Sequence, residues 1–338
     1  MDYNQSMKRE TLFQRISNMK IDRRFPDKDS FSDLNLDCRQ FCIKEVLRWL
    51  GEEDLIKVFI NPLSCYHFKL SIRTNEPTLQ RGWRLNTQNF ESSMEIQEVI
   101  QQMFNKFGYA LLFYKAYNFP HSTYYQKYDI MHWALVLDCC EETITIMDDS
   151  GTDNYFRNTI ATFTWDQFIS PWNSQKDFGG AAYLTKEDLS QKWEEEFAVI
   201  SRQTVENMTE KGQANFKKFI DDIKELPIEE IREMLEKIEF ELHYYRRQRE
   251  LWKIAFSKNI VSNNKFLIIL QNSLINLCKQ LSLVMGVVMK WKRQPNKDYR
   301  DKLVSLLNGV YQQEKILIKE IGEFLKNEYF KGSIQINS

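Results

Sequence analysis

Cys38, His132 and the adjacent pair Asp148 and Asp149 are the side chains in this sequence whose types fit a single reaction. A cysteine nucleophile attacks as its thiolate, so a site that uses one must favour loss of the thiol proton. Unpaired N–H groups at the start of a helix favour that loss, and a nearby imidazolium favours it more. A carboxylate or amide then holds the imidazole in one tautomer and one orientation. Nucleophile, base and orienting group together are the equipment of nucleophilic catalysis by a thiol.

Two local elements must position these groups. Asp37 is a good helix N-cap, residues 38–50 carry helical periodicity, and Gly51 is a natural stop, so Cys38 falls in the first helical turn. Residues 132–138 and 143–149 are rich in β-formers and flank the polar turn Cys139-Cys140-Glu141-Glu142, the pattern of a hairpin. With the turn centred on 140–142, His132 lies opposite a residue between Asp148 and Gly151. One strand therefore starts with His and its neighbour ends with two Asp. The bland alternative is a strand histidine bonded to an acid and nothing more.

The other candidates point elsewhere. Cys42 lies one turn beyond Cys38 on the same apolar stripe and is expected in the core, Cys139 and Cys140 sit at a turn, and Cys278 falls in a helix. No Cys pair is matched by a second Cys or His pair at zinc spacing, so no metal and no cofactor are expected. His67, His121 and His243 have no setting comparable to that of His132.

Composition bounds the rest. The 338 residues carry a net charge of −1, which gives no basic surplus for nucleic acid and no acidic tail. The first residues contain no apolar stretch of a secretion signal, and the apolar run 266–278 is broken by Gln271, Asn272, Ser273 and Asn276, too short and polar to span a bilayer. A soluble cytoplasmic protein without membrane contact is expected, its thiols reduced.

Patterning changes near residue 185. Short strand-like runs with most of the Gly and Pro precede it, and long helical patterns follow. Helices are expected over 185–208 and 211–226, then from Pro227 with Ile231, Leu235, Ile238, Leu242 and Tyr245 on one face. A further helix over 264–292 is apolar around most of its circumference and fits the middle of a bundle; a last one carries Leu303, Leu307, Val310, Leu317, Ile321 and Phe324. The expected organisation is an α+β domain over 1–184 and an all-helical bundle over 185–338.

Asp37-Cys38, Leu47 and Trp49-Leu50-Gly51 resemble the catalytic-helix motif of papain-like domains related to bacteriocin-processing cysteine peptidases, with the His132 hairpin as second motif. The stretches Gly108-Tyr109-Ala110-Leu111-Leu112-Phe113 and Tyr117-Asn118-Phe119-Pro120-His121-Ser122, with Tyr125, narrow this further. Over residues 30–180 the chain resembles the amino-terminal domain of the butirosin-biosynthesis protein H family. Thr164-Trp165, Phe168 and Trp172 fit the same picture.

That resemblance implies a papain-like fold and a Cys-His-Asp acyltransferase. It would take an acyl group from an acyl carrier protein thioester and pass it to a small amine during natural-product biosynthesis. Cys38 would be the nucleophile, His132 the base, and Asp149 the orienting acid, with Asp148 the close alternative. Papain-like peptidases place a Gln about six residues before the nucleophile as oxyanion donor. Here that position is Ser32, so Ser32 or Asn35, helped by the Cys38 amide, would have to donate. A cysteine peptidase or amidase with the same triad, and a non-catalytic interaction protein on this fold, are the competing expectations. The cluster Tyr244-Tyr245-Arg246-Arg247-Gln248-Arg249 is a solvated helix face or a surface for an acidic carrier.

Overall fold

Asp37 caps the first long helix, α1 (Cys38–Trp49), through a reciprocal box. Its Oδ1 accepts from the Gln40 amide at 2.7 Å, and its own amide donates to Gln40 Oε1 at 3.2 Å. The computed structural model describes residues 11–14, 36–122, 124–126, 129–152, 155–174, 179–188, 192–257 and 265–328. In it the short helix α2 (Leu55–Phe59) is followed by the hairpin β1 (Tyr66–Phe68) and β2 (Ser71–Arg73), then by β3 (Trp83–Asn89) and helix α3 (Ile96–Phe107). Strands β4 (Ala110–Lys115), β5 (Met131–Cys139), β6 (Thr143–Thr152) and β7 (Tyr155–Thr164) come next, then helix α4 (Trp165–Ile169) and strand β8 (Gly180–Lys186).

Six of these strands form one antiparallel sheet in the order β3-β8-β4-β5-β6-β7. Helix α1 packs on β5 and β6, and α3 packs on β4, β5 and β8. Alternate residues of β4 and β5, Ala110, Leu112, Tyr114, Ala134 and Val136, turn inward to a core shared with Phe119, Phe168 and Trp172. Gly180 is needed where β8 meets β4: a Cβ there would stand 2.4 Å from the Phe113 ring and 2.3 Å from the Gln88 carbonyl oxygen. The fold is α+β, a mixed sheet-and-helix unit accompanied by carboxy-terminal helices.

Those helices are α5 (Trp193–Asn207), α6 (Gln213–Glu225), α7 (Ile228–Ser257), α8 (Lys265–Arg293) and α9 (Arg300–Glu328), with a π-turn over Met208–Gly212 joining the first two. The division into units departs from a single boundary at 184/185. One unit comprises Met1–Leu55 and Trp83–Glu187, the other Ile56–Gly82 and Asp188–Ser338, so the chain crosses between them three times. The second unit is therefore not all-helical: β1 and β2 pack on α6 and α7. The reason lies in Ile56–Gly82 itself. Val58, Phe59, Ile60, Leu63 and Ile72 are fully buried there, and their backbone is tied to the helices. The Leu63 amide donates to Thr204 Oγ1 at 3.0 Å, and Trp252 Nε1 donates to the Asn61 carbonyl at 2.8 Å.

Three local expectations also change. Thr185 does not start a helix; it is in β8, paired with Arg84 of β3, and the helix begins at Trp193. Helix α8 is not central. Leu270, Leu274, Leu277, Leu281, Val284 and Val288 are buried between α7 and α9, while Ile268, Ile275 and Leu283 are exposed. Over Leu267–Arg293 it is also long and apolar enough, by length and composition alone, to cross a membrane, which the shorter run 266–278 did not suggest.

The basic–aromatic cluster on α7 is split. Arg249 is buried and paired in a fork with Glu314 of α9, at 2.7 and 3.3 Å, and lies 3.4 Å over the Tyr245 ring. Arg246 bonds to Ser282 and approaches Glu250, and Arg247 stacks on Tyr244, so the stretch is not one solvated basic face. Removing one partner of a buried pair strands a charge. Glu314→Ala is expected to cost about 3–5 kcal/mol, whereas Arg249→Met with Glu314→Leu costs far less. Urea denaturation of both variants checks this, and a single variant as stable as wild type would refute it.

Candidate active site

Helix α1 starts at Cys38 because Asp37 caps it, and its buried face, Phe41, Cys42, Val46 and Leu47, seats it on the sheet. Among the described cysteines, Cys42, Cys65 and Cys278 are buried, Cys140 is exposed, and Cys38 and Cys139 are half-buried; all are free thiols.

His132 stands near the start of β5, opposite Tyr114 of β4. It is 1% exposed and fully enclosed. Its Nε2 is bonded to Asp148 Oδ1. Asp148, not the first-choice Asp149, is thus the acid on His132, and a β-bulge explains why. Cys139 pairs with Ile144 and Asp138 with Thr145, a register that would put Asp149 opposite Ala134. The extra residue between Val136 and Asp138 shifts the pairing by one, so Ala134 faces Asp148 instead. Ala134 and His132 share a face of β5, and Asp148 joins them there. The side chain of Asp149, and Ser32 and Asn35 entirely, lie outside the described residues.

Electrostatics binds the group together. Burial alone would strip the charge from His132, but the Asp148 carboxylate, and after it Cys38, outweigh burial and hold the ring's pKa well above the usual histidine value. For Asp148, burial pushes upward, while the charge and hydrogen bond of His132, then His121 and Tyr114, bring the carboxyl below its ordinary range. Cys38 lies near enough to His132 to raise its pKa after Asp148 does. With Nε2 taken by Asp148, the buried Nδ1 has no hydrogen-bond partner among the described residues.

Two further residues were not legible as part of the site. The Tyr114 hydroxyl donates to Asp148 Oδ2 at 2.9 Å, and burial and that carboxylate push its pKa well above the usual phenol value. His121, which seemed to have no setting, reaches Tyr114 and Asp148. The inward alternation of β4 and its register against His132 would have found Tyr114; nothing in the sequence placed His121. The remaining histidines serve elsewhere: His67 bonds to Asp222 at 2.8 Å, and burial together with Arg247 and Arg246 lowers the pKa of His243 to about 3. Among the described residues no group of three or more His, Cys, Asp or Glu is arranged to hold a metal ion.

The class defined by this fold and site is an α+β unit with a Cys-His-Asp cluster at the start of a helix. No family model matches the chain, and no curated protein matches it.

Proposed function

We propose that the unit holding Cys38 is a papain-like cysteine acyltransferase that accepts an acyl group from a carrier-protein thioester and delivers it to a small amine in natural-product biosynthesis. One observation carries the reading: Cys38 opens a capped helix near His132, whose Nε2 is bonded to Asp148 and whose pKa Asp148 and Cys38 raise. The papain-like fold, the donor and the acceptor rest on the resemblance to the butirosin-biosynthesis protein H family.

The chemistry follows from the three groups. Cys38 sulfur, its proton on His132, attacks the thioester carbonyl and forms a tetrahedral oxyanion. Backbone amides of the first helical turn, Cys38 among them, are oriented to donate to it. Collapse breaks the carbon–sulfur bond to the carrier, whose thiolate takes the proton from His132. The amine then attacks the acyl-enzyme, His132 removes its proton, and Cys38 sulfur leaves as thiolate, the proton staying on His132 as in the starting pair. Asp148 keeps Nε2 engaged throughout, which leaves Nδ1 to carry the proton.

Intact-mass measurement after incubation with acyl-carrier thioesters tests the reading. An acyl adduct is expected on Cys38, absent in Cys38→Ala and discharged by added amine. An adduct discharged by water as fast as by amine would instead favour a peptidase or amidase. No adduct on any donor, with an unreactive Cys38, would leave an interaction protein.

A further inference from the structure

Asp148 has two oxygens, and they are served differently. Oδ1 is bonded to His132 Nε2, Oδ2 accepts from the Tyr114 hydroxyl at 2.9 Å, and His121 Nε2 lies 3.3 Å from that hydroxyl and 3.6 Å from Oδ2. We propose that His121 is a positioning residue: through Tyr114 it fixes the Asp148 carboxylate that orients His132. The proposal rests on the Cys38-His132-Asp148 reading given above.

The hydrogens assign themselves. The Tyr114 hydroxyl has one proton, and Asp148 takes it. His121 Nε2 must then present its own N–H to the Tyr114 oxygen. The result is a chain of donors from His121 to Tyr114 to Asp148, each polarising the next. The backbone holds His121 for this. Ser122 N donates to the Phe119 carbonyl at 2.9 Å, Phe119 N to Ala116 at 3.1 Å, and Gln126 N to Tyr117 at 3.0 Å, closing a tight loop. The imidazole is wedged against the rings of Phe163 and Phe119, with centroids 4.9 and 5.6 Å away. Such a slot selects one ring position. The same loop lays Tyr124 edge-on to His132, with centroids 5.2 Å apart.

The titratable groups facing His121 among the described residues are Tyr114 from β4, His132 from β5 and Asp148 from β6. Phe119 and Phe163 close the other sides, and Cys38 and Cys42 of α1 act on Tyr114. Burial disfavours charge on His121; Asp148 favours it and His132 opposes it, and the balance lies below the ordinary histidine value. His121 is therefore neutral when His132 is charged. Acidification adds a second positive charge beside Asp148, which competes with His132 for the carboxylate and repels it. The expected signature is an acid limb of Cys38 reactivity that depends on two protons in wild type.

The test is the rate of Cys38 alkylation by iodoacetamide against pH, read by peptide mass on the full chain, with Cys140 labelling and the melting temperature as fold controls. His121→Phe keeps the aromatic slot and removes the donor. It is expected to slow Cys38 by about tenfold at neutral pH, the loss of one hydrogen bond to a charged network. His121→Gln restores the donor, so most of that rate returns, but the acid limb moves to lower pH and depends on one proton. If either variant gives a profile superimposed on wild type, His121 is packing only and the proposal fails. Should His121→Phe not fold, the acid limb of His121→Gln decides. A wild-type Cys38 that labels no faster than in His132→Gln overturns the triad itself, a different outcome from loss of the His121 signature alone.

Discussion

His132→Gln is expected to slow iodoacetamide labelling of Cys38 by about 10- to 100-fold near pH 6, while Cys140 keeps its wild-type rate. An ordinary thiol with pKa about 8.5 is roughly 0.3% thiolate at that pH. A thiolate beside an imidazolium reacts at pH values where such a thiol is mostly protonated. A stabilised thiolate is also a weaker nucleophile, with a Brønsted slope of about 0.4–0.5 for exchange reactions, so part of the gain is lost. Cys140 is the demanding control. It is exposed, and hydrogen bonds from Thr143 and the backbone lower its pKa. At alkaline pH it will compete with Cys38; near pH 6 only an ion-paired thiolate should outrun it. Gln is chosen over Ala because His132 is fully enclosed, and truncation would open a cavity as well as remove the base. Equal rates for Cys38 and Cys140 in wild type would dispose of the thiolate–imidazolium pair.

Much of this site was legible because its determinants are local. The Asp37-to-Gln40 box and the alternation on either side of Cys140 are short-range signals, and each produced its element. The choice between Asp148 and Asp149 was not local. Counting back from a symmetric turn ignores an inserted residue, and the bulge near Leu137 leaves no composition mark: Leu-Val-Leu looks like regular strand. His121 was illegible for a stronger reason. Its role depends on a loop returning onto the far side of Asp148, and sequence gives loops no register.

The same division between local and distant information explains the misplaced boundary. Ile56–Gly82 has turn residues and short apolar runs like those around it, so nothing in it announces a partner. What assigns it to the helical unit is packing with α6 and α7, more than a hundred residues away in sequence. Helix α8 was misjudged because apolar residues around most of a helix suggested complete burial. Sequence does not reveal that α7 and α9 cover one side of it and leave Ile268 and Leu283 exposed.

Asp148→Asn is expected to lower the proposed acyl transfer by about 10²-fold or more; the same exchange in a serine triad costs about 10⁴. The amide can still accept from His132 Nε2, so orientation partly survives. What goes is the charge, the strongest influence opposing burial at His132. Burial then prevails, and the ring loses its proton at lower pH. The Tyr114 bond must also reverse, because an amide nitrogen cannot accept from its hydroxyl. Stability carries the same signature. Asp148, depressed in the folded state, contributes above its unfolded value of about 4 and loses that contribution as pH falls through the folded one; His132, raised, contributes fully below about 6.5 and loses it as pH rises. The pair therefore stabilises most between about pH 4 and 6.5, and the melting temperature of Asp148→Asn should lose that maximum. Asp149→Asn discriminates: an equal loss of transfer there, with Asp148→Asn mild, would mean the bulged register has chosen the wrong carboxylate.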